Sequence, residues 1–322
     1  MHSIANFFRL VRWPNLLIVF LTQLLIWACV IRPAGEVLGG AGPFLHTVHF
    51  ILLSLTTVLI AAAGYVINDY YDRDIDRINK PGKVIAGRIF SVRQTLWFYA
   101  MLNLTALLLS AYLSFSLKMV ALAAVQLFCV LLLWLYAAAL KARPVWGNVV
   151  VALLTTLTIL ILVAYEPLMY RYGRSPVVVA RYPHRLINPL WVIGVYAFFA
   201  FMTTWMREIV KDMQDVRGDA AVGCRTLPIV ASLQVAARLV VLLGIATILA
   251  LAGVALSLMW WERTVLSVYL LLALVLPVLA LIMRIGRHHT PEHYGKWSGR
   301  LKAIMLAGIA ALPLYYLLTF AL

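Results

Sequence analysis

Nine stretches of this chain contain no Asp, Glu, Lys or Arg: 13–31, 50–67, 95–117, 119–140, 145–165, 190–206, 239–261, 265–283 and 304–322. Each is close to the ~20 residues that cross a ~30 Å hydrocarbon core. In lipid an unpaired backbone N–H or C=O costs several kcal/mol, so such a run must close its own hydrogen bonds as a helix. Composition agrees: 64% of residues are hydrophobic and 12% charged, against roughly a quarter charged in soluble chains. The chain is therefore expected to be an all-α integral membrane protein, a single polytopic domain over 1–322 with nine transmembrane helices. Arg9 and Arg12 precede the first run. That run is long for a signal-peptide core and no small-residue cleavage site follows it, so it is expected to remain as a span. Residues 1–12 are expected to lie at the interface as a short helix.

The net charge of +15 would suit nucleic acid in a soluble protein. Here the basic residues fall between the spans. With the N-terminus cytoplasmic, twenty of the 27 Lys and Arg lie on the inner side and seven on the outer. That asymmetry is the positive-inside pattern. It places the N-terminus inside and the C-terminus outside a cell (inner) membrane, and it gives no reason to invoke nucleic acid.

Only 12 residues are acidic, and eight of them crowd into two stretches, 69–76 and 208–219. Asp69, Asp72 and Asp76 are spaced i, i+3, i+7, and Asp212, Asp215 and Asp219 repeat that spacing 143 residues later. On a helix this spacing puts three carboxylates on one face. Stacked like charges raise one another's pKa and need a cation. Both stretches follow even-numbered spans and so share the cytoplasmic side. The offset of four spans suggests a parallel internal repeat. Two such columns can hold two Mg²⁺ ions, since Mg²⁺ takes a few carboxylates, waters and substrate phosphates. Lys80, Lys83, Arg88, Arg207, Lys211 and Arg225 lie close by in sequence and can contact phosphate. Acids, metal and basic residues beside apolar helices fit a lipid diphosphate, and ring faces such as those of Tyr65, Tyr70 and Tyr71 can stabilise positive charge.

Other features admit plainer readings. Asn15 at the start of a span is a cap or packing residue, or a polar contact to substrate. Residues 141–148, with Tyr136 one turn earlier, read as a basic turn. Arg207, Lys211 and the neighbouring acids read alternatively as a surface ion-pair ladder. Cys29, Cys129 and Cys224 have no metal-ligand spacing. His288, His289 and His293 read as part of a polar cytoplasmic loop. The longest outer loop, 166–189, has no catalytic spacing.

Asn68-Asp69-Tyr70-Tyr71-Asp72-Arg73-Asp74-Ile75-Asp76 and Asp215-Val216-Arg217-Gly218-Asp219 resemble the NDxxDxxxD and DxxxD motifs of the UbiA superfamily of membrane prenyltransferases. The resemblance implies one bundle around a central cavity, with a cytoplasmic cap formed by the two acidic loops. It implies that Asn68, Asp72, Asp76, Asp215 and Asp219 bind Mg²⁺-diphosphate, joined by Asp69 and Asp212. It draws in Tyr136, Lys141 and Asn148 at the polar end of the cavity. The implied activity is Mg²⁺-dependent transfer of an isoprenyl group from a polyprenyl diphosphate to a lipid or aromatic acceptor. The stretch 207–219 with Thr226-Leu227-Pro228 resembles the digeranylgeranylglyceryl-phosphate synthase-like branch, which implies a glycerol-phosphate ether lipid as acceptor. A 4-hydroxybenzoate-type or quinone-precursor acceptor is the alternative within the family. A cation-coupled transporter is the alternative outside it, disfavoured because no span carries an acid at its middle.

The orientation has a direct check. After Cys29, Cys129 and Cys224 are replaced by Ser, Arg143→Cys in sealed vesicles should react with a membrane-impermeant maleimide only from the side of the N-terminus. Lys118→Cys should react only from the other side. Labelling of both from one side would refute the nine-span topology.

Overall fold

The computed structural model describes residues 2–39, 44–79, 82, 84–169 and 187–321. Regular structure among them is helical apart from one bridge between Ala86 and Phe90. A short helix, α1 (His2–Leu10), comes first. Then follow α2 (Trp13–Val37), α3 (Thr47–Tyr71), the short α4 (Arg73–Asn79), α5 (Val92–Ser116), α6 (Ala121–Leu140), α7 (Trp146–Ala164), α8 (Pro189–Ala221), α9 (Leu233–Trp260), α10 (Thr264–Arg284) and α11 (Pro291–Phe320). Among the described residues nine of these helices, all but α1 and α4, are long and apolar enough to cross a membrane. They match the nine expected spans one for one.

Several ends differ from the expected ones, because a charge-free run measures lipid depth whereas a helix continues wherever its hydrogen bonds do. α8 continues from 206 to Ala221. At 33 residues it is about 50 Å long, well beyond the ~30 Å hydrocarbon core. α11 starts at Pro291 rather than 304, capped by Thr290, whose hydroxyl accepts from the His293 N–H. The acidic stretches expected as loops are therefore helical. Asp212, Asp215 and Asp219 lie within α8. Asp69 lies in the last turn of α3, Asp76 lies on α4, and Asp72 sits at their junction. The helical path carries through that junction: the Asp72 N–H bonds the Asn68 carbonyl at 2.9 Å, and the Asp76 N–H bonds the Asp72 carbonyl at 2.8 Å.

Four spans contain a wider π turn among the described residues: Trp27–Ile31, Tyr136–Leu140, Leu271–Val275 and Leu317–Ala321. In α10 the π turn directly precedes Pro277. Proline has no N–H to donate and crowds the carbonyl four residues back, and the wider turn accommodates both defects.

The chain divides into two compact units. The first comprises Met1–Leu21, Thr47–Val150 and Asp215–Val230. Its main pairing is α3 with α5. Leu10, Val11, Ala62, Val66, Ile85 and Phe90 form a buried cluster with Phe7 and Phe98 against it. Phe98 meets Phe7 and Phe90 edge-on at 5.1 and 5.2 Å, so α1 is bound by aromatic packing while its Ile4 and Phe8 stay exposed.

The second unit comprises Thr22–His46, Val151–Gln214 and Ala231–Leu322. α9 packs on α10 with Gly244 at the contact, where a Cβ would stand 2.3 Å from Ile282 Cγ2. In lipid, close approach of this kind replaces the hydrophobic effect as the force joining helices. This unit holds an apolar pocket lined by Trp191, Tyr196, Phe199, Leu251, Leu270 and Tyr315 among others. Glu166 is fully buried. Its carboxylate accepts the backbone N–H groups of Phe44 at 3.1 Å and Leu45 at 2.7 Å. Trp27 Nε1 donates to the Leu45 carbonyl at 2.9 Å. The rest of the outer loop, 170–186, lies outside the described residues.

Glu166→Ala would orphan two backbone donors. It should lower unfolding stability by about 2–3 kcal/mol, with Glu166→Gln losing less. Thermal unfolding in detergent checks this, and equal melting of all three proteins would count against the clasp.

Candidate active site

The first unit brings together the first acidic motif, the turn after α6 and the end of α8. Asp72 is buried, 6% exposed. Asn68 Nδ2 donates to Asp72 Oδ2 at 2.6 Å across one helical turn. Lys141 Nζ bonds the same carboxylate oxygen and lies 3.4 Å from Asn68 Oδ1. Burial is the strongest influence on the Lys141 ammonium and pushes its pKa down. Asp72, through its charge and hydrogen bond, outweighs it, and Asp219 adds to the same side, so the net direction is upward.

The π turn Tyr136–Leu140 sets this geometry. Five residues separate Tyr136 from Lys141, which in a regular α-helix is roughly 140° around the axis. The Lys141 N–H instead bonds the Tyr136 carbonyl at 2.9 Å, the i→i+5 closure of a π turn, so position 141 stacks nearly above position 136. Asn148 is buried at the start of α7 and Tyr136 is half-buried. The Arg225 N–H bonds the Ala142 carbonyl at 2.9 Å, which fastens the segment after α8 to the Lys141 turn, with the Arg225 side chain exposed.

Asp69 takes a different cation. Arg12 NH2 lies 2.6 Å from Asp69 Oδ1, and the guanidinium stands 5.0 Å from the Tyr65 ring centroid. Arg12 has φ +53, a left-handed backbone that costs a residue with a side chain about 1–3 kcal/mol and clusters at functional sites. Two ring faces expected to stabilise substrate charge are thus covered by protein cations: Tyr65 by Arg12, and Tyr70 by Arg73 at 4.5 Å.

The end of α4 reaches the second motif. Asn79 Nδ2 donates to the Asp215 carbonyl at 3.1 Å, and the Gly218 N–H donates to Asn79 Oδ1 at 2.9 Å. Asp219 is buried, 6% exposed. Five oxygen-bearing side chains of the two motifs, Asn68, Asp72, Asp76, Asp215 and Asp219, therefore belong to one unit. All offer oxygen donors of the kind Mg²⁺ takes. Among the described residues no three acidic, His or Cys side chains converge as a metal cage. Asp69 and Asp72 are instead paired with Arg12 and Lys141.

Other expected site residues fall elsewhere. Asp212, Arg207 and Lys211 belong to the second unit. Arg207 and Lys211 both bond the buried Glu208, each at 2.9 Å, the ion-pair ladder that is the plainer reading of this stretch. Arg88 is exposed on the turn after Ile85. Asn15 lies within the first turn of α2, its N–H bonding the Arg12 carbonyl at 2.8 Å. Lys80 and Lys83 lie outside the described residues. His289 Nδ1 meets the Tyr294 hydroxyl at 2.5 Å, and Trp297 Nε1 donates to His293 Nε2 at 3.1 Å, a hydrogen-bonded cluster in the second unit.

Sequence reasoning overlooked Arg12 and Asn79 as site residues. Arg12 is 57 positions from its partner and reads as one more headgroup arginine. Asn79 carried a weak signal, an amide at a helix end just before Lys80-Pro81.

Residues 24–303 match the UbiA prenyltransferase family. The chain is 31% identical over 225 residues to a digeranylgeranylglyceryl phosphate synthase of Methanosphaera stadtmanae, covering 68% of this chain and 73% of that one. It is 36% identical over 200 residues to the enzyme of that name from Thermococcus gammatolerans, covering 62% and 63%. A UbiA homolog from Archaeoglobus fulgidus, solved bound to DMAPP and Mg²⁺, superimposes with a TM-score of 0.59 at 18% identity, over 96% of this chain and 99% of that one.

Removing Lys141 should strand the buried Asp72 charge. Lys141→Met is expected to destabilise the protein by roughly 3 kcal/mol, and adding Asp72→Asn should restore most of the loss. Additive losses in the double variant would show that the two side chains do not interact.

Proposed function

The chain belongs to the UbiA prenyltransferase family, and we propose that it acts in the membrane by moving an isoprenyl group from a polyprenyl diphosphate to a glycerol-phosphate ether lipid. The C–O bond at the diphosphate end of the prenyl chain breaks, and its electron pair leaves with diphosphate. An acceptor oxygen forms the new ether bond and releases its proton. The acceptor class rests on relatives named digeranylgeranylglyceryl phosphate synthase that cover about two thirds of this chain.

Asn68, Asp72, Asp76, Asp215 and Asp219 would hold two Mg²⁺ ions in this reading, with Asp69 in the same unit. Bound Mg²⁺ would neutralise the departing diphosphate. Lys141, already at Asp72, supplies a cation for phosphate, with Arg225, Arg88, Lys80 and Lys83 nearby in the chain. Tyr136 and Asn148 line the polar end of the site. Arg207 and Lys211 orient the α8 turn through Glu208. The apolar helices exclude water from the developing positive charge. The chain forms one polytopic domain, with its N-terminus and both motifs on the cytoplasmic side of the cell membrane and its C-terminus outside.

The observation that carries this reading is the grouping of both acidic motifs with Lys141 in one compact unit. Purified Asp72→Asn and Asp215→Asn proteins should release diphosphate at least roughly 100-fold more slowly than wild type in Mg²⁺. Wild-type turnover in both variants would end it. A product mass equal to acceptor plus one prenyl chain identifies the acceptor.

A further inference from the structure

The two acidic motifs come from helices far apart in sequence, so something must hold them in register. The bonds from Asn79 go to the backbone of the second motif itself, at Asp215 and Gly218. These positions lie within the single helical turn that carries Asp215 and Asp219. Asn79 in turn lies three residues after Asp76 on α4, one turn along the same face. The contact is close: a Cβ on Gly218 would stand 2.4 Å from Asn79 Nδ2 and 2.5 Å from Cγ. Only a residue without a side chain lets the amide lie flat against α8. The amide is also specific, because one planar group must both donate to a carbonyl and accept from an N–H. Asp keeps the acceptor and loses the donor, and a longer side chain overshoots.

We propose that Asn79 is a positioning residue that locks the Asp215–Asp219 turn against α4 and so sets the spacing between the two rows of Mg²⁺-diphosphate ligands. This rests on the enzymatic reading above. The clasp touches neither substrate nor metal and acts through the carboxylates on either side of it. Partners that orient metal ligands typically contribute 10- to 100-fold in metal affinity.

The test uses the full-length protein in detergent. Thermal unfolding is followed while Mg²⁺ is titrated at fixed inorganic diphosphate, and prenyl transfer is followed over the same Mg²⁺ range. Wild type, Asn79→Ala, Asn79→Asp and Gly218→Ala are compared. The expected result is an Mg²⁺ midpoint raised at least ~10-fold in all three variants by both readouts, with the KM for the acceptor unchanged. Gly218→Ala reaches the same end by expelling an intact Asn79, which separates the clasp from the polarity of residue 79. Variants that bind Mg²⁺-diphosphate with the wild-type midpoint overturn the proposal, whatever their melting temperature without metal. Should Asn79→Ala not fold, Asn79→Asp and Gly218→Ala carry the comparison. A wild-type protein that neither shifts with Mg²⁺-diphosphate nor transfers a prenyl group overturns the enzymatic reading as well, whereas active wild type with unaffected variants overturns the clasp alone.

Discussion

Carboxylates at the ends of membrane helices must be neutralised where they stand, and much of this structure follows from that requirement. An ionised group taken out of water without a partner is costly enough to change its protonation or its position. Asp69 faces Arg12, Asp72 faces Lys141, and Glu208 faces Arg207 and Lys211. Two of these cations sit on unusual backbone. Arg12 adopts a left-handed conformation, and Lys141 closes a π turn. Such ion pairs at partly buried sites add little net stability. In the proposed reaction the first unit provides Arg12, Asp69, Asp72 and Lys141, whose partners can be exchanged when a multivalent anion and its cations arrive.

The apolar helices supply the rigidity that this exchange needs. α8 continues unbroken past the hydrocarbon depth, so Asp215 and Asp219 ride on a helix anchored in the membrane rather than on a loop. The first motif gains the same support from α3, since helical hydrogen bonds pass through Asp72 into α4. Helix-borne ligands hold their spacing better than loop-borne ones.

Much of the site could be read from residues alone. Two rows of acids with identical spacing in a chain so poor in acids point to a shared cation, and that spacing singled out Asp69, Asp72, Asp76, Asp212, Asp215 and Asp219, whereas Asn68 came in only with the family resemblance. Arg207 and Lys211 show the limit of that reading, because a basic residue near an acidic motif looks the same whether it serves substrate or a neighbouring carboxylate. Buried Glu208 took both. Nor did the residues alone show that Tyr65 and Tyr70 each have an arginine over a ring face. Nothing in the spacing of Arg12 and Asp69 announced their pairing, since contacts between distant segments leave no periodic trace.

What the sequence alone determined was the number of spans, their order and the positions of the acidic stretches after spans two and six. Those properties follow from local energetics: lipid tolerates only backbone that is hydrogen-bonded within its own segment, and charge cannot be left in its middle. Tertiary structure alone decided which cation meets which carboxylate, where a π turn replaces an α turn, and that an asparagine amide rests on a glycine of another helix. Those choices depend on distances between segments remote in the chain, where a shift of one ångström makes or breaks a hydrogen bond.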